Sequence, residues 1–295
     1  MWKGADDRAH LAELVKAGGL DAELKRLGAV VTGDHEIFKA IAGVHAASTA
    51  SHDHFVCARC VAKKADILEG DPFRRWEQKL HEGDLLPSVP VEKRCECPLH
   101  GTRIVVSQLL NYTCSHIRKL GVSARKVVEL KEALALPDWK EGDRLEHGPA
   151  RDFICDKTRW SLLFRGWESD ETLLLPRTKK LVEKANAKAV LVHLWDSVSH
   201  MVKLARLDST TLQQRKSFEA AALLARRCWR GLNTEGASGV AASQEWRPTV
   251  WTHVYLCHLP QTMNQYGTLA PFWQYGFERR HARERRGLQV ISHTF

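Results

Sequence analysis

Six residues of this chain have the types and spacing to hold metal ions, and they fall in two groups far apart in sequence. Asp34, Cys57 and Cys60 form the first; His253, His258 and Glu278 form the second. Cysteine thiolates and imidazoles are the ligands zinc takes, and a closed structural zinc site needs four of them. A Cys-x-x-Cys pair is therefore half a site. The missing half could be local (His52 or His54), could be Cys95 and Cys97, or could come from the far end of the chain. A redox role for the pair would want it on a helix opening after a strand, with little use for flanking histidines. Carboxylates suit harder ions such as Mg²⁺. Glu278 lies twenty residues beyond His258 and runs directly into Arg279, Arg280, Arg283, Arg285 and Arg286, where a metal and a phosphate backbone could meet.

The elements that must position these residues can be read in order. Leu11, Leu14, Val15, Leu20, Leu24 and Leu27 recur at helical spacing, broken at Gly18-Gly19. The run Leu27–Asp34 reads as a short buried strand ending at Gly33-Asp34, and helical periodicity returns from His35. A carboxylate at the carboxyl end of such a strand sits where α/β sheets bind ligands, but Asp is also a favoured helix N-cap. Both readings of Asp34 stay open. Three prolines (72, 87 and 90) mark residues 71–90 as a connector. Cys95, Cys97 and His100 could bind a metal, though burial explains the cysteines equally well. Residues 104–133, 160–166, 173–186, 189–207 and 213–232 read as helices, the last with Phe218, Ala221, Ala222, Leu224, Ala225 and Trp229 as its buried stripe. Its Arg226, Arg227 and Arg230 read as a solvated face. Residues 233–243 are small and Gly-rich, a loop.

The 295 residues are 44% hydrophobic and 27% charged, ordinary for a folded chain with a real core. A net charge of +9 favours an anionic partner, nucleic acid before a membrane surface. No apolar run approaches the ~20 residues that span a bilayer, and the first residues lack an apolar signal core. An intracellular protein is expected, with its eight cysteines used for metal or burial rather than disulfides.

The order Gly-Asp, Cys-x-x-Cys, a long helical stretch, His-x-x-x-x-His and a Glu twenty residues on resembles the second half of the catalytic core of V(D)J-recombinase-like and Transib-like DDE transposases. The closing segment carries the similarity furthest: His253 and His258 with Pro260 just after, Tyr266-Gly267-Thr268-Leu269, and Gly276-Phe277-Glu278. The match covers essentially the whole chain, the middle by helical character alone. It implies an α/β fragment of mostly α content: a partial ribonuclease-H-like core interrupted by a large α-helical insertion. Residues 1–45 would be the partial core, 46–258 the insertion, and 259–295 the closing helix with Glu278 and the basic tail. Cys57, Cys60, His253 and His258 would hold structural Zn²⁺. Asp34 and Glu278 would be two of three carboxylates holding catalytic Mg²⁺ or Mn²⁺. Arg279, Arg280, Arg283, Arg285 and Arg286 would contact DNA. The implied partners are DNA and a second copy of the chain, with no membrane, and the implied location is the nucleus.

Two departures qualify these expectations. The family's first catalytic Asp lies on an earlier strand; Asp6 and Asp7 are in a helical stretch and are poor substitutes. The expected protein is thus an incomplete or inactive nuclease. The alternative is a non-catalytic, zinc-stabilised DNA-binding or helical interaction protein. Histidines five apart on a regular helix also point about 140° away from each other. Pro260 is expected to end the helix near His258 and let that ring swing round, with Cys257, at i+4 from His253, as the rival ligand.

Overall fold

The computed structural model describes residues 5–44, 54–68, 73, 77–119, 145–167, 178–233, 246 and 248–273. It is mostly helical, with two short parallel strands among the described residues. Helices α1 (Ala5–Ala17) and α2 (Leu20–Leu27) are separated at Gly18-Gly19, as the sequence predicts. Gly19 takes φ 58°, a left-handed conformation that L side chains resist. Val15 is buried, but Leu14, Leu20 and Leu27 are exposed, so this hairpin buries only one narrow stripe.

Strand β1 (Val31–Gly33) leads into α3 (His35–Ala42), whose Phe38, Ile41 and Ala42 fill a small core with Val15, Ala58, Leu86 and Val89. β1 pairs in parallel with β2 (Arg94–Glu96), in the register Val31 with Arg94, Thr32 with Cys95 and Gly33 with Glu96. The Cys97 N–H extends the ladder by donating to the Gly33 carbonyl at 2.9 Å. β2 falls within residues 46–258, so the sheet draws a strand from the stretch assigned to the helical insertion. Residues 84–89 fold around one buried side chain. The Arg94 guanidinium donates to both Asp84 carboxylate oxygens (2.6 and 2.9 Å) and to the carbonyls of Leu86 and Val89. A planar fork of donors suits that role, and a lysine could not make the same set.

The helical body is built from α5 (Pro98–Lys119), α6 (His147–Cys155), α7 (Lys157–Ser161), α8 (Thr178–Ala205) and α9 (Leu212–Asn233). A short helix α4 (Lys64–Leu68) lies apart from this body and packs Ile67 with Val56, Val250 and Val254. α8 and α9 pack as an antiparallel hairpin, and four fully buried tryptophans knit the body together. Trp160 and Trp195 stack at 5.7 Å, while Trp229 meets Trp246 edge-on at 5.7 Å. Each of three indole N–H groups finds an acceptor: Trp195 donates to Thr113, Trp229 to the Trp246 carbonyl, and Trp246 to His116. Buried aromatics therefore bring area without an unsatisfied donor at these positions.

In α9 the buried stripe holds for Phe218, Ala221, Ala222, Ala225 and Trp229, but Leu224 is exposed. Six residues beyond Phe218, it lies about 120° round the helix from that residue. Arg226 and Arg230 do not simply face solvent: Arg226 donates to the Phe73 carbonyl, and Arg230 lies over the Phe73 ring. Among the described residues no helix is long and apolar enough to cross a membrane. The predicted loop at 233–243 and the helical readings at 120–133 and 173–177 lie outside the described residues, except for Asn233.

Candidate metal centre

Cys57 and Cys60 sit on a knuckle formed by residues 54–64. Val56 N–H donates to Ala62 O and Lys64 N–H to His54 O, closing the knuckle. Cys60 also bridges to Gln78 in an antiparallel contact. Val56, Ala62 and Ile67 pack this unit against Val250 and Val254 of the far segment. That apolar contact delivers the two cysteines to the two histidines.

The histidine segment opens with α10 (Val250–His253), capped by Thr249, and continues as a π-helix (Val254–His258) into α11 (Leu259–Tyr266). Here the expectation that Pro260 ends the helix is corrected. The helix runs on, but widens: the Leu259 N–H donates to Val254 O, five residues back. Proline has no N–H to give and its ring crowds the carbonyl four residues before it, which disfavours the tighter α-helical pattern here. With i→i+5 bonding, residue i+5 comes back over residue i. His253 and His258 therefore share a face, with ring centroids 4.9 Å apart.

The result is one buried cluster. Cys57 Sγ lies 3.3 Å from His258 Nε2, and Cys60 Sγ lies 3.3 Å from His253 Nε2. All four ligand atoms fall within 4.8 Å of one another. A tetrahedral zinc with ordinary Zn–S and Zn–N bonds would set its sulfur–nitrogen edges at about 3.5 Å. The four side chains fit such an ion and are compatible with structural zinc.

The surroundings orient the ligands. Gln261 Oε1 accepts from His258 Nδ1 (3.0 Å) and from Gln78 Nε2 (2.6 Å), which leaves Nε2 as the ring nitrogen that faces the cluster. His81 Nε2 donates to the Cys57 carbonyl at 2.9 Å. Such outer hydrogen bonds fix the ring orientation of metal-ligating histidines. Cys257 is not among the four converging ligands; its thiol instead favours the charged form of the His253 ring.

The four side chains share their protons unevenly. Burial opposes ionisation of Cys57, yet hydrogen bonding from Cys60 and the imidazoles hold its thiol well below the usual range. Cys60 is pushed far up, first by its hydrogen bond to Cys57 and then by burial. Burial opposes the charged form of His253, but Cys257 and Cys57 outweigh it and hold the ring protonated well above its ordinary range.

The remaining candidates separate. His54 is exposed and outside the cluster, and His52 lies outside the described residues. Cys95 and Cys97 are buried at the sheet, where burial raises the Cys95 thiol to about 12. Asp34 does cap α3: its Oδ1 accepts from the Glu36 N–H at 3.3 Å. Its second oxygen, Oδ2, stands 3.8 Å from His100 Nε2, and the carboxylate is partly exposed at the end of β1. Glu278 and the five arginines from Arg279 to Arg286 lie outside the described residues.

Sequence reasoning missed a buried polar group beside the cluster. Arg59, between the two cysteines, donates to Glu96 Oε2 (2.9 Å) and Thr262 Oγ1 (3.1 Å). His35 Nδ1 is 3.8 Å from Glu96 Oε1, and all three side chains are about 1% exposed. Glu96 is held down at about 2, because Arg59 first and His35 next outweigh the burial that opposes its charge. The alternation of charge and cysteine in Arg94-Cys95-Glu96-Cys97 was the only signal. Comparisons with protein-family models, with characterised proteins and with solved structures return no match.

Proposed function

We propose that this chain is the second half of a DDE-transposase-like, ribonuclease-H-like core that binds DNA, with Cys57, Cys60, His253 and His258 holding a structural zinc ion. The observation that carries the reading is the meeting of the two ligand pairs across 193 and 201 residues of chain. It is the ligand set the resemblance implied, and nothing local competes with it among the described residues. Zinc held this way closes the long helical segment and fixes the ends of that segment relative to each other.

In this reading Asp34, at the carboxyl end of β1, and Glu278 contribute to a divalent-metal site. Mg²⁺ or Mn²⁺ bound there would activate a water or 3′-hydroxyl for in-line attack on a phosphodiester and stabilise the leaving oxygen. The basic residues after Glu278 would neutralise backbone phosphates. Three carboxylates are asked for and these residues supply two, so cleavage would need a third from elsewhere. A second reading, a non-catalytic zinc-stabilised DNA-binding or interaction protein, is favoured by one observation: the Asp34 Oδ1 is already spent on capping α3.

Divalent-metal-dependent nicking of plasmid DNA, abolished by both Asp34→Asn and Glu278→Gln, is the outcome expected once a third carboxylate is supplied. Salt-dependent DNA binding with no nicking under any metal would leave the second reading. Absence of DNA binding at low salt would sink both DNA readings.

A further inference from the structure

A closed ring of contacts joins the Cys/His cluster to the end of the two-stranded sheet. From the cysteine knuckle, Arg59 reaches Glu96 at the carboxyl end of β2. Glu96 faces His35, which follows Asp34 at the end of β1. The His35 ring meets Trp251 edge-on, with centroids 5.2 Å apart. Trp251 lies two residues before His253 on α10, and His253 returns to Cys60. A second branch closes the ring through Thr262, which accepts from Arg59 and donates to the His258 carbonyl. Every ionisable member is buried. Removing one partner of a buried charged pair leaves the other uncompensated, so the arrangement is sensitive to small displacements. Glu96 Oε1 and both His35 nitrogens make no hydrogen bond, so the contact between them has no slack taken up by other partners.

We infer that Arg59, Glu96 and His35 are positioning residues that couple metal occupancy of the Cys/His cluster to the geometry of the strand end at Asp34. With a metal in place, the knuckle and the π-helix are held at fixed separation, and Arg59 and Trp251 clamp Glu96 and His35 from two sides. Without it, both ends of the ring are released and the start of α3 loosens. The inference rests on the cluster binding metal, and it makes Asp34's setting depend on an ion it does not touch.

The test is amide hydrogen exchange on the full chain, stripped and then reloaded with one equivalent of zinc. The wild type, the paired apolar variant Arg59→Met with Glu96→Met, and His35→Phe are compared. The pair removes both charges together, which buried ion pairs tolerate far better than loss of one. His35→Phe keeps a ring against Trp251 and serves if the pair fails to fold. In the wild type, zinc should slow exchange at residues 33–38 at least tenfold more than in α9, which reports global stabilisation. Both variants should bind one zinc, yet lose that excess protection at 33–38. Equal protection of 33–38 in the variants, or none in the wild type despite bound zinc, overturns the coupling. A wild type that takes up no zinc overturns the metal site itself, a separable result.

Discussion

Removing the ion should cost this protein the closure of a long loop in addition to four bonds at one spot, because the ligands lie at both of its ends. The ligand pairs are separated by 193 and 201 residues. Cross-linking a loop of about 200 residues removes roughly 5 kcal/mol of chain entropy from the unfolded state, on the relation used for disulfides. An unfolding entropy of about 2.1 cal/mol/K per residue turns this into a melting shift of about 8 °C for a chain of this length. The assay is thermal denaturation followed by circular dichroism, with zinc-loaded and chelator-stripped protein, alongside metal content per chain. Near one zinc per chain is expected. Cys57→Ser and His253→Ala should each abolish most of the zinc-dependent shift, since either breaks the clip. If His253→Ala keeps the full shift while Cys57→Ser loses it, the ion is held locally and the long-range clip is refuted.

Three further outcomes are expected. Metal binding must displace the protons that Cys60 and His253 otherwise keep, so apparent zinc affinity should rise with pH, by up to about 100-fold per unit for two protons; chelator competition between pH 6 and 8 measures the slope, and a flat profile would contradict the proton sharing. Glu96 has a folded pKa depressed to about 2 from 4.5, so its charge stabilises the fold above 4.5 and that contribution is lost as pH falls from there towards 2. The loss should be on the order of 3 kcal/mol, read as a difference between wild type and the paired Arg59→Met, Glu96→Met variant in acid denaturation. Gly101→Ala would place a Cβ 2.8 Å from Tyr255 Cδ2, inside the π-helix, and should destabilise by about 1–3 kcal/mol in a urea melt; an unchanged midpoint would show that Tyr255 moves freely.

Much of the local structure was legible. The break at Gly18-Gly19, the strand ending at Gly33, the cap at Asp34 and the buried face of α9 all follow from rules that act within a few residues. Helical periodicity, turn residues and capping depend on near neighbours, and near neighbours are what a sequence displays. The four ligands were also readable as candidates, since cysteine and histidine make up most structural zinc sites. Local rules did not reveal β2, three residues long and recognisable as a strand mainly because β1 lies beside it. Nor did they reveal Arg59 and Glu96, which look like surface charges until the knuckle, the sheet and α11 close over them.

His253 and His258 mark the boundary most sharply. By itself the sequence determined that two imidazoles stand five apart before a proline, and regular helical geometry would have turned them away from each other. Only the tertiary structure decided that they face the same way. Pro260 withholds an N–H, the backbone shifts to i→i+5 bonding, and packing of Val250 and Val254 against Val56, Ala62 and Ile67 brings the cysteine knuckle to that face. A spacing fixes which atoms are available; the path of the backbone and the burial of apolar neighbours fix whether they meet.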